Sequence, residues 1–201
     1  MVNKIRKNNV KDMAIASALS LAAERPWQDI SLADIIGHAQ IDEGEAREYF
    51  DDKADVMAAY GRVIDRQMVE NCALDGSAPH REQLFDLIME RFDIANENRE
   101  AVISVVSSFK AEPKGALETL PHLSRAMARI LEAAAIPTNG LMGCARVTAV
   151  MGIYLYALKI WMKDDSADLA KTMAALDKAL DKAEMVYNSL PLDKFAGRFG
   201  V

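Results

Sequence analysis

The chain is poor in the residues that most often carry chemistry or staple small folds, with two cysteines and three histidines among 201 residues. Cys72 and Cys144 lie far apart within apolar, helix-like segments. That placement excludes a disulfide framework and points to buried thiols in a reducing compartment. His38, His80 and His122 are isolated from one another, and no HExxH, CxxC, GxSxG or phosphate-loop spacing occurs. Neither an enzyme, a cofactor nor a metal site is therefore expected. The acidic clusters Asp51-Asp52-Asp55 and Asp164-Asp165-Asp168 are better explained as helix-end caps than as cation ligands. Aromatics make up only 6% of the chain. Alternation of period two is also absent, which argues against strands.

One sign of charge is in modest excess: 24 basic against 30 acidic residues give a net charge of −6. A large nucleic-acid surface does not fit that balance, whereas a compact DNA-reading end on an acidic body does. Long hydrophobic runs are also missing. Lys4, Arg6 and Lys7 ahead of Met13 to Ala23 imitate a secretory signal, but Asp12, Ser17 and Ser20 interrupt it and alanine dominates the apolar part. Leu141 to Met162 carries only Arg146 and Lys159 as charges. The uncharged stretch between them falls short of the roughly 20 residues a bilayer span needs. A buried helix, a cytoplasmic location and no stable membrane insertion are the expectations.

What is present is helical period. Apolar residues recur at spacings of three and four in nearly every segment, and Pro and Gly cluster at joints: Pro26, Gly76 to Pro79, Pro113 to Gly115, Pro121, Pro137 to Gly140 and Pro191. The pattern predicts an all-α protein of about nine helices, near residues 9–25, 31–38, 43–49, 53–74, 80–95, 98–110, 119–135, 140–163 and 167–189. Leu74 to Pro79 is the expected linker. Leu169, Met173, Leu176, Leu180, Ala183 and Tyr187 form one stripe of the last helix, opposite Lys171, Asp177, Lys178, Asp181 and Lys182. The helix before it is apolar nearly all round, with Val147, Met151, Tyr154, Leu158 and Trp161 on one face. Such a helix needs cover on several sides.

Asp29 to Val56 is the most specific stretch. Ser31 with Asp34, and Asp42 with Glu45, have capping-box spacing and mark two helix starts. Ile35, Ile36 and Ala39 make an apolar face, and Ile41 plugs the turn that follows. Glu43 to Phe50 then lies where a recognition helix enters the major groove, the outline of a helix-turn-helix. That helix and its flanks carry Asp42, Glu43, Glu45, Glu48, Asp51, Asp52 and Asp55 against only Arg47 and Lys53. A polyanion repels such a face. Capping explains part of the acid; Glu43 and Glu48 are left unexplained.

In order and spacing the chain resembles the TetR family of bacterial regulators. Ala16, Ala18, Leu19 and Ala22-Ala23 resemble that family's first helix, Ile30-Ser31 the entry to the second, and Ala39-Gln40-Ile41-Asp42-Glu43-Gly44 its turn, with Phe50 and Lys53 completing the match. The departures are Gln40 for the usual Gly, Asp42 for Ser or Thr, and Arg47 for an aromatic, while Tyr49 stands where His or Tyr is common. The resemblance implies an operator-binding head at 1–60 and a ligand-binding and dimerisation part at 61–201. It also implies DNA contacts from Ser31, Glu43, Gly44, Arg47, Tyr49 and Lys53. The basic residues Lys4, Arg6, Lys7 and Lys11 read equally as an arm that reaches a groove or phosphate and as a solvated tail. Double-stranded DNA, a small apolar ligand and a second copy of the chain are the implied partners. Phe85, Met89, Phe92, Phe109, Met127 and Tyr154 would line the cavity, although the same pattern describes a plain core. Val147, Met151, Leu158, Trp161, Met173, Leu176 and Leu180 would form the homodimer seam.

A second, looser resemblance is to the TetR-fold lipid-binding proteins of ubiquinone biosynthesis. It rests on Tyr154, Leu155, Tyr156, Trp161, Asp164-Asp165-Ser166, Thr172 and Leu176-Asp177, with Phe92-Asp93-Ile94 and Arg99 to Val106. It implies a lipid carrier that has lost DNA binding. A terminal membrane-binding helix is not evident in Leu192 to Val201, where Lys194, Phe195, Arg198 and Phe199 are its only candidates.

Overall fold

The structure, a computed structural model, describes residues 2–72, 78–111 and 113–189, with side chains from Val10 onward. Most of the expected linker and the whole of Leu192 to Val201 lie outside the described residues. Nine α-helices and one 3-10 turn account for the regular structure, and no strand occurs among the described residues. They are α1 (Val2–Glu24), the 3-10 turn (Trp27–Asp29), α2 (Leu32–Ala39), α3 (Glu43–Arg47), α4 (Lys53–Asn71), α5 (His80–Asn96), α6 (Arg99–Ser108), α7 (Pro113–Ala133), α8 (Gly140–Trp161) and α9 (Ala170–Ser189).

Two expected boundaries move for identifiable reasons. Lys4, Arg6 and Lys7 belong to α1 rather than to an arm ahead of it, and their side chains lie outside the described ones. α7 starts at Pro113 and runs through Pro121, both expected to be joints. Proline is tolerated in a first turn, and inside a helix it forfeits one bond to the carbonyl four residues back. Here that carbonyl belongs to Leu117, whose exposure of 69% lets water take the missing donor's place.

Two compact units divide the chain: Met1–Ala73 with Glu90–Arg129, and Leu74–Met89 with Ile130–Val201. In the first, α1 is the central element, packed against α2, α4 and α6. Its sequence allows this because Ala14, Ala18 and Ala22 stack at intervals of four on one buried face, and small side chains let neighbouring helices approach closely. Ile35, Phe50, Val56 and Met68 fill the space between them. A charged cluster sits in the same core. Asp65 of α4 is buried and accepts from Arg91 of α5 and, at 2.6 Å, from Arg129 of α7.

In the second unit α8 and α9 pair, joined by a turn built around Asp164. This buried carboxylate accepts from the amide and hydroxyl of Thr172, both at 2.8 Å, and from the amide and hydroxyl of Ser166. Burial alone would push its pKa up, but the hydrogen bonds from Ser166 and Thr172 outweigh that and hold it well below the ordinary value. Arg81 at the start of α5 ties in α9 by donating to Asp177 and Asp181. Gly143 has a strict steric reason: a Cβ there would lie 2.0 Å from the Thr138 carbonyl, an impossible approach.

Candidate nucleic-acid interface

The helix-turn-helix forms as its caps predict. Ser31 and Asp34 make the reciprocal box, at 3.1 Å from Asp34 N to Ser31 Oγ and 2.8 Å from Ser31 N to Asp34 Oδ2. These contacts, with Arg25 nearby, hold the Asp34 carboxyl below its usual range. At α3 the Glu45 amide donates to Asp42 at 3.0 Å, which is the half of the predicted box that this helix shows. A full box not foreseen starts α4. Asp52 accepts from Ala54 N and Asp55 N, and Asp55 accepts in return from Asp51 N and Asp52 N. The acids at 52 and 55 are caps, and Asp51 takes part through its backbone amide. Gln40 turns the chain between α2 and α3 in the left-handed region, at φ 53, with Ile41 N returning to Ile36 O to close the end of α2.

The residues expected to meet DNA are present, but their side chains are largely committed. Lys53 Nζ donates to Trp27 O at 2.8 Å and Gln28 O at 3.4 Å, and lies 5.3 Å from the Trp27 ring centroid. It therefore fastens α4 to the 3-10 turn instead of standing free for phosphate. Arg47 donates to Asp51 O at 2.9 Å and faces Glu43 at 3.7 Å across one helical turn. Tyr49 packs edge-on to Phe50, with Lys11 Nζ 4.8 Å from its ring centroid. Ser31 is spent on its cap. Glu43, Gly44 and Glu48 are exposed on or beside α3. Carboxylates there are able to accept from a cytosine amino group in the major groove, but they neutralise no phosphate.

The predicted cavity residues lie at two depths in the fold. Met89, Phe92, Met127 and Tyr154 are buried, and Phe85 and Phe109 half-buried, as packed core residues would be. None of the six lines a groove found among the described residues. That groove, of about 500 Å³, runs along Ala22 to Gln28 and one face of α6.

The predicted dimer seam also needs correction. Trp161, Leu176 and Leu180 are buried within the chain itself and are not available to a second copy. Val147, Met151 and Leu158 are half-covered, and Met173 is exposed. The expectation of a buried α8 fails as well, since only 22% of its most apolar stretch is buried. By length and composition it is the one described helix apolar enough to cross a membrane. Its exposed positions include Leu141, Ala145, Thr148, Gly152 and Leu155, alternating spacings of four and three. That spacing keeps these positions on one face of the helix.

Trp27, its bond from Lys53 and the Asp65 cluster escaped the sequence reading. Asp65 left a trace: it is an acid between Ile64 and Met68 on a helix whose apolar face it shares.

No protein-family model matches the chain, and no curated protein matches it. Solved structures do. The chain is similar to a TetR transcriptional regulator from Nitrosomonas europaea ATCC 19718, with a TM-score of 0.69 and 23% identity over 87% of this chain and 98% of that one. It is also similar to a TetR transcriptional regulator from Rhodococcus sp. RHA1, with a TM-score of 0.57 and 13% identity over 88% and 96% of the two chains. The fold is all-α and that of the TetR regulators.

Proposed function

We propose that the chain is a TetR-like transcriptional regulator that binds operator DNA as a homodimer and responds to a small apolar ligand. It is not an enzyme, and its place is the cytoplasm. The observation that carries this reading is the head: two capped helices joined by a left-handed turn, with α3 exposed beyond it. The exposed seam of α8 supports the second copy, because an apolar stripe of that kind is costly to leave in water. In this reading residues 1–60 read DNA and 61–201 sense and dimerise. Lys4, Arg6 and Lys7 then supply phosphate contacts that α3 lacks. Ligand binding acts by favouring one spacing of the two heads over another.

The acidic α3 and the committed Lys53 favour one competing reading, a lipid-binding protein that keeps the fold without DNA. Genomic selection at low salt separates the two. A regulator enriches a two-fold-symmetric site whose half-sites lie about one helical turn or a multiple apart, with affinity that falls steeply as salt rises. Recovery of no enriched sequence, together with an isoprenoid lipid in solvent extracts of the protein, would overturn the regulator.

A further inference from the structure

The groove beside α6 has a chemistry of its own, and all of it lies within one compact unit. Its floor is apolar, from Ala22, Trp27 and Ile103. Its rim carries Glu24 and Glu100. The one base on the rim, Arg25, faces Asp34 at 3.4 Å, so its charge is already matched. α1 ends here at Glu24, with no basic residue in its last turn. The carbonyls of a final helical turn have no intrahelical amide and carry the negative end of the helix dipole. Two exposed carboxylates and a helix C-terminus therefore border an apolar floor.

We infer that this groove is a binding site for an organic cation with an apolar body, such as an alkyl or aryl ammonium. The apolar part lies on Ala22 and Ile103, and the cation sits between Glu24, Glu100 and the end of α1. A volume of about 500 Å³ is within the range of small-molecule sites. Glu100 lies in the first turn of α6, whose positive end offsets the negative end of α1, so repulsion of an anion rests on the Glu24 and Glu100 carboxylates themselves, and charge sign is the discriminating property. The site also has a route to the head. Trp27 N donates to Ser104 Oγ at 3.0 Å, while Trp27 O accepts from Lys53 at 2.8 Å. A ligand that shifts Trp27 acts on the lysine that holds α4.

The site does not depend on the head reading DNA, and its test contains none. Calorimetric titration of the full chain with decyltrimethylammonium, kept below its micelle concentration, should show one saturable site. Decanoate, with the same chain length and the opposite charge, should bind at least tenfold more weakly. Glu100→Gln should weaken the cation about fivefold, the factor that one charge pair a few ångström apart in water carries. Added salt should weaken it further. Ser107→Phe, an exposed groove position whose side chain makes no bond to Trp27, should fill the space and abolish binding. Equal binding of decanoate, or cation binding that survives Ser107→Phe, would show that this groove and its charge do not hold the ligand and overturn the assignment. Absence of a saturable site would overturn it outright.

Discussion

Replacing Asp65 with alanine removes one carboxylate from beside a buried guanidinium. Asp65 is 5% exposed and the Arg91 side chain 9%, so Arg91 has little water to replace the carboxylate. Arginine also has no neutral form to retreat to at any working pH. Breaking a buried pair from one side costs about 3–5 kcal/mol, most of it the desolvation of the remaining charge. In a chain of this length that lowers the melting temperature by about 6–20 °C. Arg129 is a different case, because its side chain is 42% exposed and water compensates the removal of its 2.6 Å bond. Arg129→Ala should cost about 1 kcal/mol or less. The double variant Asp65→Leu with Arg91→Met removes both charges at similar volume and should recover most of the stability, which a double-mutant cycle in urea measures directly. The reasoning is refuted if Asp65→Ala falls within about 1 kcal/mol of the parent, or if Arg129→Ala costs as much as Asp65→Ala.

The exposed seam predicts that Leu155→Glu gives a folded monomer by sedimentation. Leu180→Glu, at a position 3% exposed, should unfold the chain instead. Gln40 spends a left-handed residue where glycine carries no Cβ penalty, so Gln40→Gly should raise stability by about 0.5–1 kcal/mol in thermal melts despite the extra unfolded-state entropy. Asp164 has a folded pKa below its unfolded value, so its contribution is fully present above that value, ordinarily 3.8, and is lost as pH falls toward the folded one. Asp164→Asn should flatten the acid limb of the stability curve below pH 3.8 while lowering stability at neutral pH, as read by urea midpoints across the pH range.

Helix number and the head were legible in the sequence because they are local. Ser31 with Asp34, and Asp42 ahead of α3, announce themselves within four residues. Pairings across tens of residues did not. Lys53 reaches Trp27 across 26 positions and Arg91 reaches Asp65 across the same span, and no short-range pattern encodes either. The dimer seam shows a third kind of limit. Periodicity says that α8 is apolar on several faces, but not which face its own chain covers. Trp161, Leu176 and Leu180 were on the side that α8 and α9 bury between themselves and their unit, and Leu141, Leu155 and Tyr156 were left outside.

The commitments of Lys53 have a consequence for the regulator reading. A lysine that already donates to two carbonyls keeps one N–H for a phosphate, but its charge is held at the 3-10 turn by those two bonds. A tethered ammonium cannot follow the DNA backbone, so Lys53 adds less to affinity than a lysine free to reach a phosphate. With α3 acidic as well, the phosphate contacts must come chiefly from Lys4, Arg6 and Lys7 on the first turns of α1. Removing those three together should flatten the dependence of log affinity on log salt by about 0.9 unit for each phosphate that is no longer neutralised, whereas Lys53→Ala alone should leave the slope nearly unchanged and lower the melting temperature of the head. A slope that falls as much for Lys53→Ala as for one of the α1 bases would mean that the lysine leaves Trp27 on binding and that the head rearranges around DNA.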